Sequence, residues 1–217
     1  MRKIEKGNEP ASLQAWRKGN QHGSYIDISN TVRQDIREAC VAEQFYLCAY
    51  CCQRILGTSD TINEHVKARQ FSPNRSLDFE NIVASCKTRN QCDSSHGSQS
   101  LPLTPLMVEC ETELRFIING RVEGLTDRAK ETIRILNLGD HERNNKKLVE
   151  KRKQLALNLM FEKEIYLENL VDKERLRLVD KELLQLVIDD LNTPREGRLA
   201  PFAPVVANIL KGVFFSV

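Results

Sequence analysis

The chain has 217 residues, of which 41% are hydrophobic and 29% are charged, a balance typical of a folded globular protein and not of a disordered chain. Its 32 Lys and Arg residues against 30 Asp and Glu residues leave a formal net charge of +2, so no overall basic field indicates a nucleic-acid partner. The charged first residues lack the apolar core of a signal peptide, and no run of about 18 apolar residues occurs, so we expect a cytoplasmic protein without a membrane segment.

The first half of the chain is predicted to contain one helix, a short irregular segment and a β-hairpin. Apolar side chains recur at helical spacing between residues 31 and 47, and Thr31 can cap this helix. Between residues 48 and 97, turn residues separate small apolar groups, which indicates a segment built around a site and not around a large core. The pair Asn119-Gly120 favours a hairpin with a type I′ turn, because both residues accept positive φ angles.

The second half of the chain is predicted to be helical. Long amphipathic stretches run from residue 129 to 139, from 148 to 170 and from 171 to 191. The final segment, residues 201–217, is apolar enough to need cover. We therefore expect it either to pack on these helices or to dock on a partner.

The cysteines are spaced as metal ligands. Seven cysteines in a chain expected to be cytoplasmic indicate metal ligands and buried thiols, because the cytosol keeps thiols reduced. Cys48 and Cys51 have the two-residue gap that lets two thiolates bind one Zn²⁺ from a tight turn, and Cys86 and Cys92 form a second pair. Two separated pairs predict a structural zinc site. Cys40 and Cys110 are interpreted as buried thiols without a metal. Cys52 adjoins Cys51 and could replace it as a zinc ligand.

Other residues that suit metal and phosphate chemistry lie among the two cysteine pairs. Glu64 and His65 stand side by side between the pairs, Asn81 lies shortly before the second pair, and His96 lies shortly after it. This order resembles the HNH endonuclease family, whose pattern is Cys-x-x-Cys, an acidic-His pair, an Asn, and a second cysteine pair followed by a polar or basic ligand.

The resemblance is closest to the PtuB-like HNH proteins of Septu and retron antiphage systems, and it covers most of the chain. It is carried by the opening Met1-Arg2-Lys3-Ile4 with Pro10 and Leu13, CAYCCQRI at 48–55, NEH at 63–65, LDFENIVASC at 77–86 and ETIRILNLG at 131–139.

The second cysteine pair departs from the family pattern in two ways. Five residues separate Cys86 from Cys92 where two are commoner, and Asp93 stands where Asn or His often follows the last cysteine. HNH proteins also bind a catalytic divalent metal ion, distinct from the structural zinc. By the resemblance, its last ligand in this chain is either His96 or Asp93, and we prefer His96.

The resemblance implies an α+β fold, with a small ββα-metal (HNH, zinc-knuckle) core and a mainly helical C-terminal half. The chain then divides into an N-terminal arm (1–30), an HNH nuclease domain with the structural zinc site (31–125) and a helical C-terminal region (126–217).

The resemblance also implies roles for four residues in phosphodiester hydrolysis. His65 would be the general base, because a neutral imidazole can take a proton from water near pH 7. Asn81 would hold the loop that carries His65. Glu64 and His96 would bind one Mg²⁺ or Mn²⁺ that clamps the scissile phosphate.

The implied function is that of a nucleic-acid-cleaving effector in a prokaryotic antiviral defence system. Because the sequence has no G-x-x-x-x-G-K-[ST] loop, an ATPase of the PtuA type would be a separate chain in a hetero-oligomer. DNA cleavage or nicking is the preferred activity, and cleavage of RNA, including tRNA, is the alternative. A non-catalytic zinc-binding adaptor is a further alternative, in which Glu64 and His65 have no chemical role.

Local basic residues could supply phosphate contacts that the net charge does not reveal. Four cationic residues flank the proposed site, namely Arg69, Arg75, Lys87 and Arg89. A second basic run, residues 143–153, predicts either further phosphate contacts or a solvated helix face. No ordered set of aromatic residues indicates base stacking.

Overall fold

A computed structural model describes residues 1–141, 144–162 and 181–214. Within these ranges the fold is α+β, with seven α-helices and two small antiparallel sheets, which confirms the predicted class. In chain order the elements are α1 (Ala11–Gly19), α2 (Asn30–Glu43), β1 (Thr61–His65), β2 (Ile82–Cys86), α3 (Asp93–His96), β3 (Leu114–Phe116), β4 (Val122–Gly124), α4 (Asp127–Leu136), α5 (Lys146–Glu162), α6 (Lys181–Asn192) and α7 (Ala203–Phe214). In the described ranges, every helix is too short or too polar to cross a membrane.

The first sheet and the short helix that follows it carry four of the predicted site residues, namely Glu64, His65, Cys86 and His96. Strands β1 and β2 pair antiparallel, with Thr61 opposite Cys86 and His65 opposite Ile82. Two short 3₁₀ turns lie in the connection between them, and α2 packs on both strands. The four-residue helix α3 begins at Asp93, directly after the last cysteine of the second pair. The order of these elements is therefore strand, strand, helix.

Helix α2 begins earlier and ends earlier than the predicted helix over residues 31–47. Its N-cap is Ser29, whose side-chain oxygen accepts a backbone N–H at 3.2 Å, and Thr31 lies inside the first turn. The assignment of Thr31 as the cap was wrong because the helix already starts at Asn30, where the Ser29 side chain accepts the N–H of Val32. The helix ends before Phe45 and Tyr46, which adopt the left-handed region with φ of 53° and 62°.

The predicted hairpin is present, but its turn is not of type I′. Of the two turn residues, Gly120 has a positive φ of 87° and Asn119 does not. Ile117 accepts a hydrogen bond from Gly120 N at 2.8 Å and donates one to Arg121 O at 2.9 Å, the pattern of a type I turn followed by a left-handed glycine. A Cβ at Gly120 would lie 2.1 Å from Val149 O, so glycine also permits the close approach of α5.

The helices of the second half follow the predicted pattern where the structure describes them. Helix α4 is capped by the Thr126 side chain and ends at Asn137, which is left-handed. Helix α5 is described to Glu162, so the predicted continuation to residue 170, and the first part of the stretch from 171 to 191, lie outside the described residues. Helix α7 packs on α5, α6 and β3. Residues 201–212 of the apolar final segment therefore pack within the chain.

One hydrophobic core extends through the three segments into which the sequence was divided. It includes Met1 and Leu13 from the first thirty residues, Ile82 from the sheet, and Ile133 and Leu210 from the helical half. The first residues are tied down further by a backbone hydrogen bond from Ile4 N to Pro105 O at 2.8 Å. The N-terminal segment is therefore anchored to the core by a few buried side chains, at Met1, Ile4, Leu13 and Ile28.

Candidate metal centres

Four buried cysteines form a cluster that could hold a metal ion such as zinc. One sulfur from each of the four residues lies within 4.8 Å of the other three, and they belong to Cys48, Cys51, Cys86 and Cys92. The sulfurs of Cys48 and Cys92 are 3.8 Å apart, and those of Cys51 and Cys86 are 4.0 Å apart. Tetrahedral Zn–S bonds of about 2.3 Å place neighbouring sulfurs about 3.8 Å apart. The prediction that these two pairs meet is confirmed, and their spacing fits Zn²⁺.

The other three cysteines stand outside this cluster. Cys52, the alternative to Cys51, is buried but contributes no sulfur to the group. Burial raises the pKa of Cys40 to about 12 and that of Cys110 to about 12. Both are therefore neutral thiols at pH 7, as their interpretation as small buried side chains requires.

Local backbone geometry brings the second pair together despite its five-residue gap. Cys86 ends β2, and the turn after it contains two residues in the left-handed region, Asn90 with φ of 57° and Cys92 with φ of 53°. Cys92 N also donates to Leu136 O at 2.9 Å, which ties the second pair to the end of α4. The long gap is therefore taken up by a loop that folds back on the strand.

Polar hydrogens point at the cluster sulfurs. Gln91 Nε2 donates to Cys51 Sγ at 3.4 Å and to Cys86 Sγ at 3.6 Å, while Cys86 N donates to Cys48 Sγ at 3.3 Å. Burial raises the pKa of Cys51 and of Cys92, whereas hydrogen bonds from the neighbouring thiols lower the pKa of Cys86. A bound divalent cation would hold the cysteines as thiolates.

Helix α5 supports the cluster from outside. Asn145, at the start of α5, donates from Nδ2 to Gln91 Oε1 at 3.0 Å and so fixes the amide that faces the sulfurs. Arg152 is fully buried and donates to Gly120 O at 2.7 Å and to Leu138 O at 3.0 Å. Burial lowers the pKa of Arg152 to about 10, and the charges of Cys51, Cys52 and Cys92 oppose this shift. Arg152 therefore belongs neither to a phosphate-binding run nor to a solvated face.

We expect Gln91→Ala to weaken zinc retention by about 10- to 100-fold, because groups that orient metal ligands typically contribute this much to affinity. The measurement is competition for Zn²⁺ with a chromophoric chelator. The matched control is Gln53→Ala, since Gln53 is also a buried glutamine near the cluster but bonds to Thr88 and Lys151 and not to sulfur. Equal loss of zinc affinity in both variants would contradict a specific role for Gln91.

Glu64 and His96 meet on one side of the first sheet. Glu64 Oε1 lies 2.5 Å from His96 Nδ1 and accepts a hydrogen bond from the Tyr50 hydroxyl at 3.1 Å. His96 Nε2 donates to Gln99 O at 2.6 Å, so Nδ1 is the nitrogen available to a proton or a metal. Burial lowers the pKa of His96, but the Glu64 carboxylate raises it by more, so the pKa lies above its usual value.

Asp93 joins the same cluster, so both alternatives for the last ligand stand beside Glu64. Burial and the Glu64 carboxylate raise the pKa of Asp93 to about 8, so Asp93 is protonated at pH 7 in the metal-free protein. The side chains of Glu64, Asp93 and His96 therefore interact with one another. Among the described residues, however, the four cysteines are the group of His, Cys, Asp and Glu side chains whose ligand atoms lie close enough together to hold a metal ion.

His65 faces the opposite side of the sheet from Glu64, because successive side chains of a strand alternate. Its ring packs edge to face against Tyr25, with centroids 4.7 Å apart. His65 Nε2 donates to Ser76 O at 2.9 Å, which leaves the lone pair on Nδ1. Burial, with the positive charge of Arg69, lowers the pKa of His65 below its usual value. The imidazole is therefore neutral at pH 7.

Asn81 closes the loop that follows His65. Its side-chain Oδ1 accepts from Lys67 N at 2.8 Å, while its Nδ2 donates to Lys67 O at 3.0 Å and to Arg75 O at 3.3 Å. Its backbone carbonyl also accepts from Val66 N at 2.9 Å. One buried side chain thus fixes both ends of the segment that positions Ser76, the hydrogen-bond partner of His65.

Several residues around these sites were not predicted from the sequence. They are Tyr25 beside His65, Tyr50 beside Glu64, and Gln91 and Asn145 beside the cysteine cluster. No protein-family model matches the chain, and a comparison with curated proteins finds no significant relative.

Proposed function

We propose that the chain is a metal-dependent HNH-type endonuclease that hydrolyses phosphodiester bonds of nucleic acid. One observation carries the proposal: on a strand–strand–helix unit, the Glu64–Asp93–His96 cluster occupies one face of strand β1, and the next residue, His65, presents on the other face a neutral imidazole that is oriented by a backbone carbonyl. A cation-binding carboxylate group and a neighbouring base are what metal-assisted hydrolysis of a phosphodiester requires.

Each proposed catalytic residue then has a defined task. His65 Nδ1 accepts the proton of the attacking water, and its Nε2–H bond to Ser76 O keeps the ring in the correct tautomer. Asn81 holds the loop that carries Ser76. Glu64 and His96, with Asp93 beside them, would hold Mg²⁺ or Mn²⁺. When bound, this cation would neutralise negative charge on the phosphate and on the leaving oxygen.

The cysteine cluster has a structural task in this proposal. Four thiolates fill a tetrahedral Zn²⁺ site and leave no open position for substrate or water. The cluster joins the turn at Cys48, the end of β2 and the start of α3. Zinc there would fix α3, and with it His96, against the strand that carries Glu64.

The biological setting is proposed from the resemblance to PtuB-like proteins. The chain would be the effector of a prokaryotic antiviral defence system, acting in the cytoplasm within a hetero-oligomer that includes a PtuA-type ATPase. DNA is the preferred substrate, and RNA, including tRNA, is the alternative. The motifs quoted for the resemblance are what support this setting.

A second candidate is a zinc-binding adaptor without catalysis. The observation that favours it is the burial of Glu64 and His96, which are 5% and 0% exposed and already bonded to each other. In an adaptor this pair would be a satisfied polar contact of the core. Asp93, which is half-buried, is the member of the cluster through which solvent would reach a catalytic ion.

Binding of Mn²⁺ separates the two candidates without requiring cleavage. We expect the zinc-loaded chain to bind one Mn²⁺, seen as loss of the free-ion signal in electron paramagnetic resonance, and expect Glu64→Gln and His96→Ala to abolish this binding. Asp93→Asn tests whether Asp93 is also a ligand. Glu131→Gln is the control, because Glu131 is an acid on α4 that pairs with Arg134. A wild-type chain that binds no Mn²⁺ would favour the adaptor.

A further inference from the structure

A cavity of about 350 Å³ adjoins the loop that follows His65. Its walls come from the loop after β1 and from the segment after α3, which face each other across the opening. The lining includes Val66, Lys67, Phe71, Asn81, Gln99 and Met107. Because Asn81 and Lys67 belong to both the cavity and the loop contacts described above, an occupant would lie next to the proposed site.

Two large apolar side chains that line this cavity are exposed to solvent. Phe71 is 71% exposed and Met107 is 37% exposed. Val108, the next residue in the chain, is 62% exposed. Apolar groups clustered at the mouth of a cavity indicate a surface that a ligand covers.

Cationic and hydroxyl groups surround the same cavity. Lys67 is exposed at the rim, and Arg75 lines the wall with its guanidinium paired to Asp78 at 2.6 Å. Ser98 and Ser100 contribute hydroxyl groups. A nucleotide presents the complementary set of features, namely an aromatic face, hydrogen-bonding edges and an anionic phosphate.

We propose that this cavity, the base pocket, holds the base of an unpaired nucleotide beside the scissile phosphate. Phe71 stacks on the base, and Lys67 contacts the neighbouring phosphate. A base within a duplex cannot enter such a cavity unless it leaves the stack, so the preferred substrate is single-stranded or locally unpaired nucleic acid. This inference depends on the proposed nuclease function and adds the structural class of its substrate.

The test measures binding without cleavage, using fluorescence anisotropy of labelled oligonucleotides with zinc-loaded His65→Ala protein. Single-stranded DNA, single-stranded RNA and a DNA duplex of one sequence are compared. We expect both single strands to bind more tightly than the duplex, and the ratio of DNA to RNA affinity identifies the source of the base. In the same background, Phe71→Ala should weaken single-strand binding by about 5- to 150-fold, the range for loss of one stacked base.

The matched control is Phe161→Ala, because Phe161 is equally exposed, at 73%, and lies outside the cavity lining. Equal affinity for single strand and duplex, equal loss in the two phenylalanine variants, or no binding of any oligonucleotide would overturn the inference. Cleavage of duplex DNA by the wild type without any preference for unpaired sites would also overturn it, while leaving the nuclease proposal intact. Absence of all cleavage would instead count against the proposed function.

Discussion

Cys86→Ser is expected to release zinc and to unfold the part of the protein that carries the site. Structural Zn²⁺ contributes about 10–16 kcal/mol of apparent binding free energy at pH 7, whereas a domain has a net stability of about 5–15 kcal/mol. Cys86 ends β2 and its sulfur lies 4.0 Å from that of Cys51, so its loss opens the cluster at the strand that pairs with β1. Zinc content by mass spectrometry and thermal unfolding by circular dichroism measure the two effects.

Cys52→Ser is the matched control for this prediction. Cys52 is a buried thiol directly after Cys51, but it stands outside the cluster. The Cys52 variant should therefore keep its zinc and unfold cooperatively close to the wild-type temperature. A Cys86→Ser protein that retained zinc and its melting temperature, or a Cys52→Ser protein that lost both, would contradict the assignment of the four ligands.

His65→Ala is expected to reduce nucleic-acid cleavage by about 10²- to 10⁴-fold, the usual contribution of a general base. The zinc content should not change, because His65 lies on the strand face opposite Glu64 and its partners are Ser76 and Tyr25. His22→Ala is the control, since His22 is an exposed histidine in the N-terminal segment. Initial cleavage rates at saturating divalent metal measure the effect, and equal rates for both variants and the wild type would refute the role of His65.

The pH dependence of the wild-type rate follows from the lowered pKa of His65. A general base must be unprotonated, so the rate rises with pH through the pKa of the base and is level above it. Burial and Arg69 lower this pKa from its ordinary value of 6.5, so the rise should be complete near neutral pH. At saturating divalent metal, where protonation of Asp93 and His96 no longer limits metal binding, a rate that continued to rise well above pH 7 would indicate a different base.

The four-cysteine cluster could be predicted from sequence because its chemistry is local. A Cys-x-x-Cys turn places two sulfurs together wherever it occurs, and a reducing compartment leaves metal binding as the common use of two such pairs. The long gap before Cys92 was harder to interpret, because the loop depends on positive φ angles at Asn90 and Cys92. Of these two residue types, only asparagine commonly adopts a positive φ angle. The α+β class was predicted through the resemblance to HNH proteins, and the hairpin signal and the amphipathic stretches agree with it.

The surroundings of the site could not be predicted because they depend on packing between distant segments. Asn145, which holds Gln91 against the cysteine cluster, lies about 50 residues beyond Cys92, and nothing in a basic helical stretch indicates that Arg152 is buried. Glu64 and His65 are adjacent in sequence, but only the pairing of β1 with β2 shows that they face opposite sides. The exposure of Phe71 at a cavity likewise appears only in the folded chain.

Cleavage itself is the most direct test of the nuclease proposal. The chain would be co-expressed with a PtuA-type ATPase, and the purified complex would be assayed with Mg²⁺ or Mn²⁺ on supercoiled plasmid DNA and on total RNA. We predict that the wild-type complex cleaves one of these substrates and that the His65→Ala complex, with the same zinc content and ATPase binding, does not. Intact DNA and RNA after incubation with a zinc-loaded, ATPase-bound wild-type complex would contradict the nuclease proposal and favour the adaptor.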